Sequence, residues 1–247
     1  MLIMDYKILI LLFYYDRPEI VKNALKSIEN SSYKNFTVAF IDDGSPNPGK
    51  PVVEEILSPE NLEKVVFYNT NQSSDDKNKQ GGSIFGKYAN IAMETLESDI
   101  TIMLCDDDAL TPDYLEYLNH YYTQNPEIQH SYSKVLFYDP SKEDYTQSKK
   151  TTSFTHGGST FYLNSFDTPI EPWGKFDASQ VDWRTNCNIK FPYPQTRALD
   201  SSVYKQLGDH HGLCYPTHIE GQCKGAFADQ LGNRWADGKE EYKVNIS

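Results

Sequence analysis

The chain of 247 residues has a formal net charge of −12, with 38% hydrophobic and 23% charged residues, a globular composition long enough to bury a sizeable core. So acidic a surface excludes nucleic acid as the main partner, because phosphate backbones are gripped by Lys and Arg. A small anionic ligand stays open if a cation supplies the positive charge, and an aromatic content of 13% with 18 Tyr leaves surface for stacking sugars or bases.

Residues 7–15 open with the apolar run Ile8 to Tyr15. Spanning a bilayer takes about 20 such residues. Asp16-Arg17-Pro18 follows at once, with no small-residue cleavage site, so the run predicts a buried parallel-type strand in a cytoplasmic protein without a transmembrane segment. Asp16 is expected to cap a helix that carries Ile20, Val21, Ala24, Leu25 and Ile28 at helical spacing, with Pro18 in its first turn. A strand over 36–41 runs into Asp42-Asp43-Gly44-Ser45 and a loop of turn formers that ends at Gly49. A short helix around 51–57 leads to a strand over 63–68, and the polar stretch 69–82 reads as a mobile loop. A helix over 84–97 precedes the apolar run Thr101–Cys105, which ends in Asp106-Asp107-Asp108.

Strand and helix alternate four times in this half, which implies right-handed crossovers and a mostly parallel sheet. Ligands of such sheets bind at the carboxyl ends of the strands, where both acidic clusters fall. Three adjacent carboxylates repel one another, so folding alone gives little reason to gather them. A hard divalent cation gives one, since Mg²⁺ or Mn²⁺ takes oxygen ligands and bridges a carboxylate to a diphosphate.

Beyond Pro112 a helix through Tyr114, Leu115 and Leu118 and strands over 129–138 and 157–163 are expected. No linker composition interrupts the chain, so 1–247 reads as one domain, with 1–112 as a nucleotide-binding half and 113–247 as a less regular acceptor lobe. The four cysteines, Cys105, Cys187, Cys214 and Cys223, show no metal-type spacing and imply a reducing compartment without disulfides.

Five segments in order carry a resemblance: Leu12 to Pro18, Ala24 to Ile28, Ile41-Asp42-Asp43-Gly44-Ser45, Gly86-Lys87-Tyr88-Ala89-Asn90, and Asp106-Asp107-Asp108 with the following Ala-Leu-Thr-Pro. Over its first half the sequence resembles the GT-A-fold glycosyltransferases of family 2 type. The resemblance implies an α/β fold with one Rossmann-like, mixed but mostly parallel sheet flanked by helices. It also implies inverting, metal-dependent transfer from a nucleoside-diphosphate sugar, expected to be a UDP-sugar, to a carbohydrate or other hydroxyl acceptor. Asp42 and Asp43 would hold base and ribose, and Phe13, Tyr14, Tyr15 and Arg17 the rest of the nucleotide wall, joined by Lys87 and Asn90. Lys87 or Tyr88 stands where the family usually has Arg. Asp106-Asp107-Asp108 matches the Asp-X-Asp motif, in which Asp106 and Asp107 would meet the donor and Asp107 or Asp108 the Mn²⁺ or Mg²⁺. His218 would complete the metal site, and Asp200 would be the general base.

The residues read alone leave alternatives. Asp200 is also a natural helix N-cap, with Glu220, Asp209 and Asp182 as other candidate bases. His218 competes with a plain surface or core role and with His210 and His211 as ligands, and Trp173 and Trp183 either platform an acceptor or fill the core. Two other functions compete: a nucleotidyltransferase acting on sugar phosphates, weakened by the absence of glycine in Tyr14-Tyr15-Asp16-Arg17-Pro18, and a non-catalytic nucleotide-sugar-binding module.

Overall fold

The computed structural model of the protein describes residues 4–137, 151–156, 159–161, 166–173, 176, 180–194, 199–224 and 243–246. Its framework is an eight-stranded mixed sheet in the order β3-β2-β1-β4-β9-β6-β10-β5. The strands of the first half, β1 (Ile8–Tyr14), β2 (Phe36–Asp42), β3 (Val65–Asn69) and β4 (Ile100–Cys105), run parallel to one another. They are linked by α1 (Pro18–Glu29), by α2 (Lys50–Ile56) with the short α3 (Pro59–Leu62), and by α4 (Ser74–Gln80) with α5 (Phe85–Thr95). In the second half β5 (Ala109–Leu110), α6 (Tyr114–Gln124) and β6 (His130–Phe137) precede β9 (Val181–Arg184), α7 (Leu199–His211) and β10 (Tyr215–Lys224). Here β9 is antiparallel to both β4 and β6, and β10 is parallel to β6 and antiparallel to β5. The segments β7 (Thr151–His156), β8 (Ser159–Phe161) and β11 (Lys243–Ile246) form a separate three-stranded antiparallel sheet.

Strand β1 explains why the sheet is covered on both faces. Its side chains alternate, so Ile8, Ile10 and Leu12 pack with Val21, Leu25 and Ile28 of α1 and with Leu115 and Leu118 of α6. Leu9 and Leu11 point the other way, into a core with Ala89 and Ala92 of α5, Val203 and Leu207 of α7, and Trp183 of β9. Full burial of each such aliphatic chain contributes about 2 kcal/mol. The apolar run at the N-terminus is therefore a core strand, and among the described residues no helix is long and apolar enough to cross a membrane.

Several expectations shift. Asp16 does not cap α1: it adopts φ 53 and its carboxylate accepts from the Asn47 backbone and side-chain amides at 3.3 and 2.8 Å, while Arg17 takes the N-cap position and its side chain makes no capping bond to the helix. The stretch expected to be a loop over 69–82 contains α4, fixed by a Ser73–Asp76 capping box and by Gly81, whose φ of 78 closes the helix in the left-handed conformation. Within the expected strand over 157–163, Ser159–Phe161 is strand, and residues 157–158 and 162–163 lie outside the described residues. Cys105, Cys187 and Cys214 carry no disulfide.

Candidate functional site

The register of the parallel strands sets the site. Tyr14 at the end of β1 lies opposite Asp42 of β2, and Phe13 lies opposite Cys105 of β4. Three chain exits, Tyr15-Asp16-Arg17, Asp43-Gly44-Ser45 and Asp106-Asp107-Asp108, therefore stand side by side at the carboxyl edge, where the polarity of a parallel sheet places ligands.

The two carboxylates after β2 do different work. Asp42 is 5% exposed, and its oxygens accept from the Ser45 amide at 2.8 Å and the Gly49 amide at 3.1 Å, so it folds the loop that follows. Gly44 makes this turn possible: it has φ +69, and a Cβ there would lie 2.2 Å from the Gln72 carbonyl oxygen. Asp43 is turned toward the edge. Its Oδ1 accepts from Ser83 Oγ at 2.5 Å and Thr70 Oγ1 at 3.3 Å, and its Oδ2 pairs with Lys77 Nζ at 2.8 Å.

The triplet after β4 is equally divided. Asp106 is 1% exposed; its Oδ2 accepts the Tyr15 amide at 3.0 Å and its Oδ1 accepts Arg17 Nη1 at 3.2 Å, which ties the exits of β1 and β4 together. Arg17 Nη1 also donates to Asp107 Oδ2 at 2.8 Å. Burial works against the guanidinium charge, but the Asp106 and Asp107 carboxylates more than offset it and raise the Arg17 pKa. The chain turns back through a hydrogen bond from the Asp108 amide to the Cys105 carbonyl at 3.1 Å. That turn gathers the Cys105 sulfur and carboxylate oxygens of Asp107 and Asp108 within 4.8 Å of one another, a group able to hold a metal ion. The two carboxylates are donors of the kind a hard cation such as Mn²⁺ or Mg²⁺ takes, whereas the Cys105 sulfur is a softer donor that such a cation does not favour.

The other expected residues divide. Tyr15 lies at the edge with Lys77 Nζ 4.1 Å from its ring centroid. The Tyr14 side chain is turned into the core: it is 1% exposed, its ring lies against Phe40 and its hydroxyl donates to the Asn47 carbonyl at 2.7 Å. Phe13 packs edge-on against Phe85 and Phe191. Asn90 spends both ends of its amide on the Phe191 backbone, at 2.9 and 2.7 Å, and so positions that loop. Lys87 is exposed beside the Tyr88 ring.

In the second half, Trp183 is fully buried in the core against Phe191 and presents no face to an acceptor, whereas Trp173 is 61% exposed. Asp182 is withdrawn inside the sheet and can reach no acceptor. Asp209 is an exposed partner of Lys205. Asp200 is the second residue of α7, and its side chain, like that of Glu220, lies outside the described residues. His218 is exposed at a bulge of β10 with φ 64, and the structure does not bring it into the group formed by Cys105, Asp107 and Asp108.

Sequence reasoning missed Lys77, Ser83 and Thr70 on Asp43, and Cys105 beside the acids. The Ser73-x-x-Asp76 capping pattern followed by Gly81 was the available signal for the helix that carries Lys77.

The family model described as glycosyl transferase family 2 matches residues 9–181. Among solved structures, S. aureus TarS 1-349 superposes with a TM-score of 0.62 at 13% identity, over 95% of this chain and 67% of that one. S. aureus TarS 1-349 in complex with UDP superposes with a TM-score of 0.59 at 15% identity, over 87% and 59%. The complex of the same protein with UDP-GlcNAc gives 0.59 at 14% identity, over 87% and 57%. The chain thus spans only 57% to 67% of the length of these three structures, and at such identity the likeness is one of fold. No curated protein matches the chain.

Proposed function

The chain belongs to glycosyl transferase family 2 and is a glycosyltransferase of the GT-A fold by that membership, and from this premise we propose that it moves a sugar from a nucleoside-diphosphate sugar to an acceptor hydroxyl with inversion. A UDP-sugar is the expected donor, in keeping with UDP and UDP-GlcNAc in the TarS complexes. The observation that carries the proposal is the meeting of the acids after β2 and β4 on either side of the β1 exit.

Asp43 and the Tyr15 ring would receive the nucleoside, and Asp107 and Asp108, with Cys105 beside them, would hold Mn²⁺ or Mg²⁺. The cation, when bound, supplies Lewis-acid neutralisation of the charge that develops on the departing diphosphate. Arg17 is already desolvated against the acids, and its Nη2 is buried with no hydrogen-bond partner among the described residues, which leaves a donor for a phosphate oxygen. Asp200, in the first turn of α7, would accept the proton of the acceptor hydroxyl as that oxygen attacks the anomeric carbon. Attack on the face opposite the leaving diphosphate inverts the centre. The exposed Trp173 would offer a stacking surface to a carbohydrate acceptor.

Incubation with UDP-, GDP- and dTDP-sugars, each with a panel of carbohydrate and other hydroxyl acceptors in the presence of Mn²⁺, tests the reading. Release of UDP is expected, and release of pyrophosphate or of nothing contradicts it. In the same assay Asp200→Asn leaves donor affinity unchanged and lowers transfer by at least about 100-fold. Near-normal turnover would remove Asp200 as the base.

A further inference from the structure

The structure holds a lysine in the very space the nucleoside reading requires. Lys77 reaches from α4 across the sheet edge, pairs with Asp43 Oδ2 at 2.8 Å, donates to the Asp43 backbone carbonyl, and sets its ammonium 4.1 Å from the Tyr15 ring centroid. Its side chain is 16% exposed, so this is an enclosed contact rather than a surface ion pair. The cation thereby covers the ring face on which a base would stack and the carboxylate oxygen that would accept the base's N–H. Two groups cannot share that volume.

The element that delivers Lys77 is built to leave. None of the residues of α4 is buried. Apart from Lys77, its described side-chain ties beyond the helix are the local Ser73–Asp76 capping box, a long Tyr15 Oη···Ser74 Oγ contact at 3.4 Å and a Gln72 to Gln80 hydrogen bond at 2.9 Å. Gln72 itself is fixed at the base of the segment, where its Oε1 accepts the Ile84 amide at 2.9 Å. The helix closes on Gly81 and Gly82 with φ 78 and 148, a pair whose backbone tolerates rearrangement. With Lys77 withdrawn, Asp43 Oδ1 is still held by Ser83 and Thr70. The carboxylate therefore stays aimed while Oδ2 is uncovered.

We propose that Lys77 is a built-in competitor of the nucleobase: in the ligand-free protein it straps α4 across the donor pocket, and donor binding displaces it from Asp43 and Tyr15. The inference rests on the donor reading above and adds a residue that sets donor affinity. A protein whose binding-competent state is only partly populated binds its ligand more weakly by that fraction. Removing the strap's anchor therefore tightens binding.

The test is calorimetry of UDP and of uridine, each with Mn²⁺, on the parent protein and on Lys77→Met, which keeps the apolar stem and removes the charge. Both ligands are expected to bind the variant about five-fold more tightly, the scale of one partly enclosed ion pair. Hydrogen exchange should show the amides of residues 74–80 exchanging faster in ligand-free Lys77→Met, and faster in the parent once UDP is added. Weaker UDP binding with uridine unaffected would make Lys77 a phosphate contact and overturn the inference. Unchanged affinity for both ligands would overturn it as well, while leaving the donor reading in place. If neither protein binds UDP, the donor reading fails and takes this inference with it.

Discussion

Replacing Asp107 and Asp108 together by asparagine lowers the Mn²⁺-dependent part of UDP binding by at least about 100-fold, since altering even the groups that merely orient metal ligands costs 10–100-fold. Asparagine is the informative change. Arg17 is buried against Asp106 and Asp107, and truncation to alanine would strip a desolvated guanidinium of a partner at a cost of about 3–5 kcal/mol. In Asp107→Asn the side-chain amide oxygen still accepts the Arg17 N–H, so the fold is preserved while the charge a hard cation needs is lost. UDP titrations with and without EDTA read the effect. Equal Mn²⁺-dependent affinity in parent and variant would remove these two residues from the metal site.

The second large effect concerns stability and Asp182. This carboxyl is fully buried on β9, where it accepts from Tyr122 Oη at 2.7 Å, Ser131 Oγ at 2.5 Å and Tyr114 Oη at 3.3 Å. Burial pushes its pKa from 3.8 up to about 7, against the three hydroxyls, which favour the charged form. Asp182→Ala leaves those hydroxyls without their acceptor in the core, at about 1–3 kcal/mol for each group left unsatisfied, so a loss on the order of 3–5 kcal/mol is expected in urea titrations.

Asp182→Asn tests the titration instead. Between pH 3.8 and about 7 the folded protein keeps a proton on Asp182 that the unfolded chain has lost. Stability contributed by Asp182 is thus full below that window and falls as pH rises through it. His130 acts in the opposite sense. Burial, with His211 nearby, drives its pKa from 6.5 down to about 4, so the unfolded chain holds the extra proton and stability rises with pH across that range. Each contributes a slope of about 1.4 kcal/mol per pH unit inside its window, and where the windows overlap the two oppose each other. Asp182→Asn removes the falling slope and uncovers the rising one, so the variant loses stability on acidification from pH 6.5 to 4 more steeply than the parent. Parallel pH profiles would show that Asp182 does not titrate in this range.

How much of this was legible depended on whether burial left a mark on composition. Strands β1, β2 and β4 are covered on both faces, so nearly every residue is apolar and their limits were readable to within about a residue. The acids that end them were readable for the same reason, as an abrupt change of polarity. Strand β9 was not: four residues long, it carries Asp182 and Arg184, and its polar groups are satisfied by tyrosine and serine hydroxyls and by backbone carbonyls that lie far away in sequence. Trp183, one of the two expected acceptor platforms, lies in the core because β9 inserts between β4 and β6, a pairing no local pattern announces. Helix α4 buries no residue and so offers no apolar period; only its caps betray it. Nor did Tyr14 and Tyr15 differ in composition. One is core and the other faces the site because the strand ends between them.

The claim at the centre is that the acids ending β2 and β4 exist to grip a cation and the nucleoside diphosphate it neutralises. The most direct measurement is anomalous diffraction from crystals of the protein grown with Mn²⁺ and UDP. A manganese peak on the carboxylates of Asp107 or Asp108, with the diphosphate against it and the uracil beside Asp43 and Tyr15, is the expected result. UDP bound elsewhere, or manganese absent from this edge while UDP is bound there, would contradict the account.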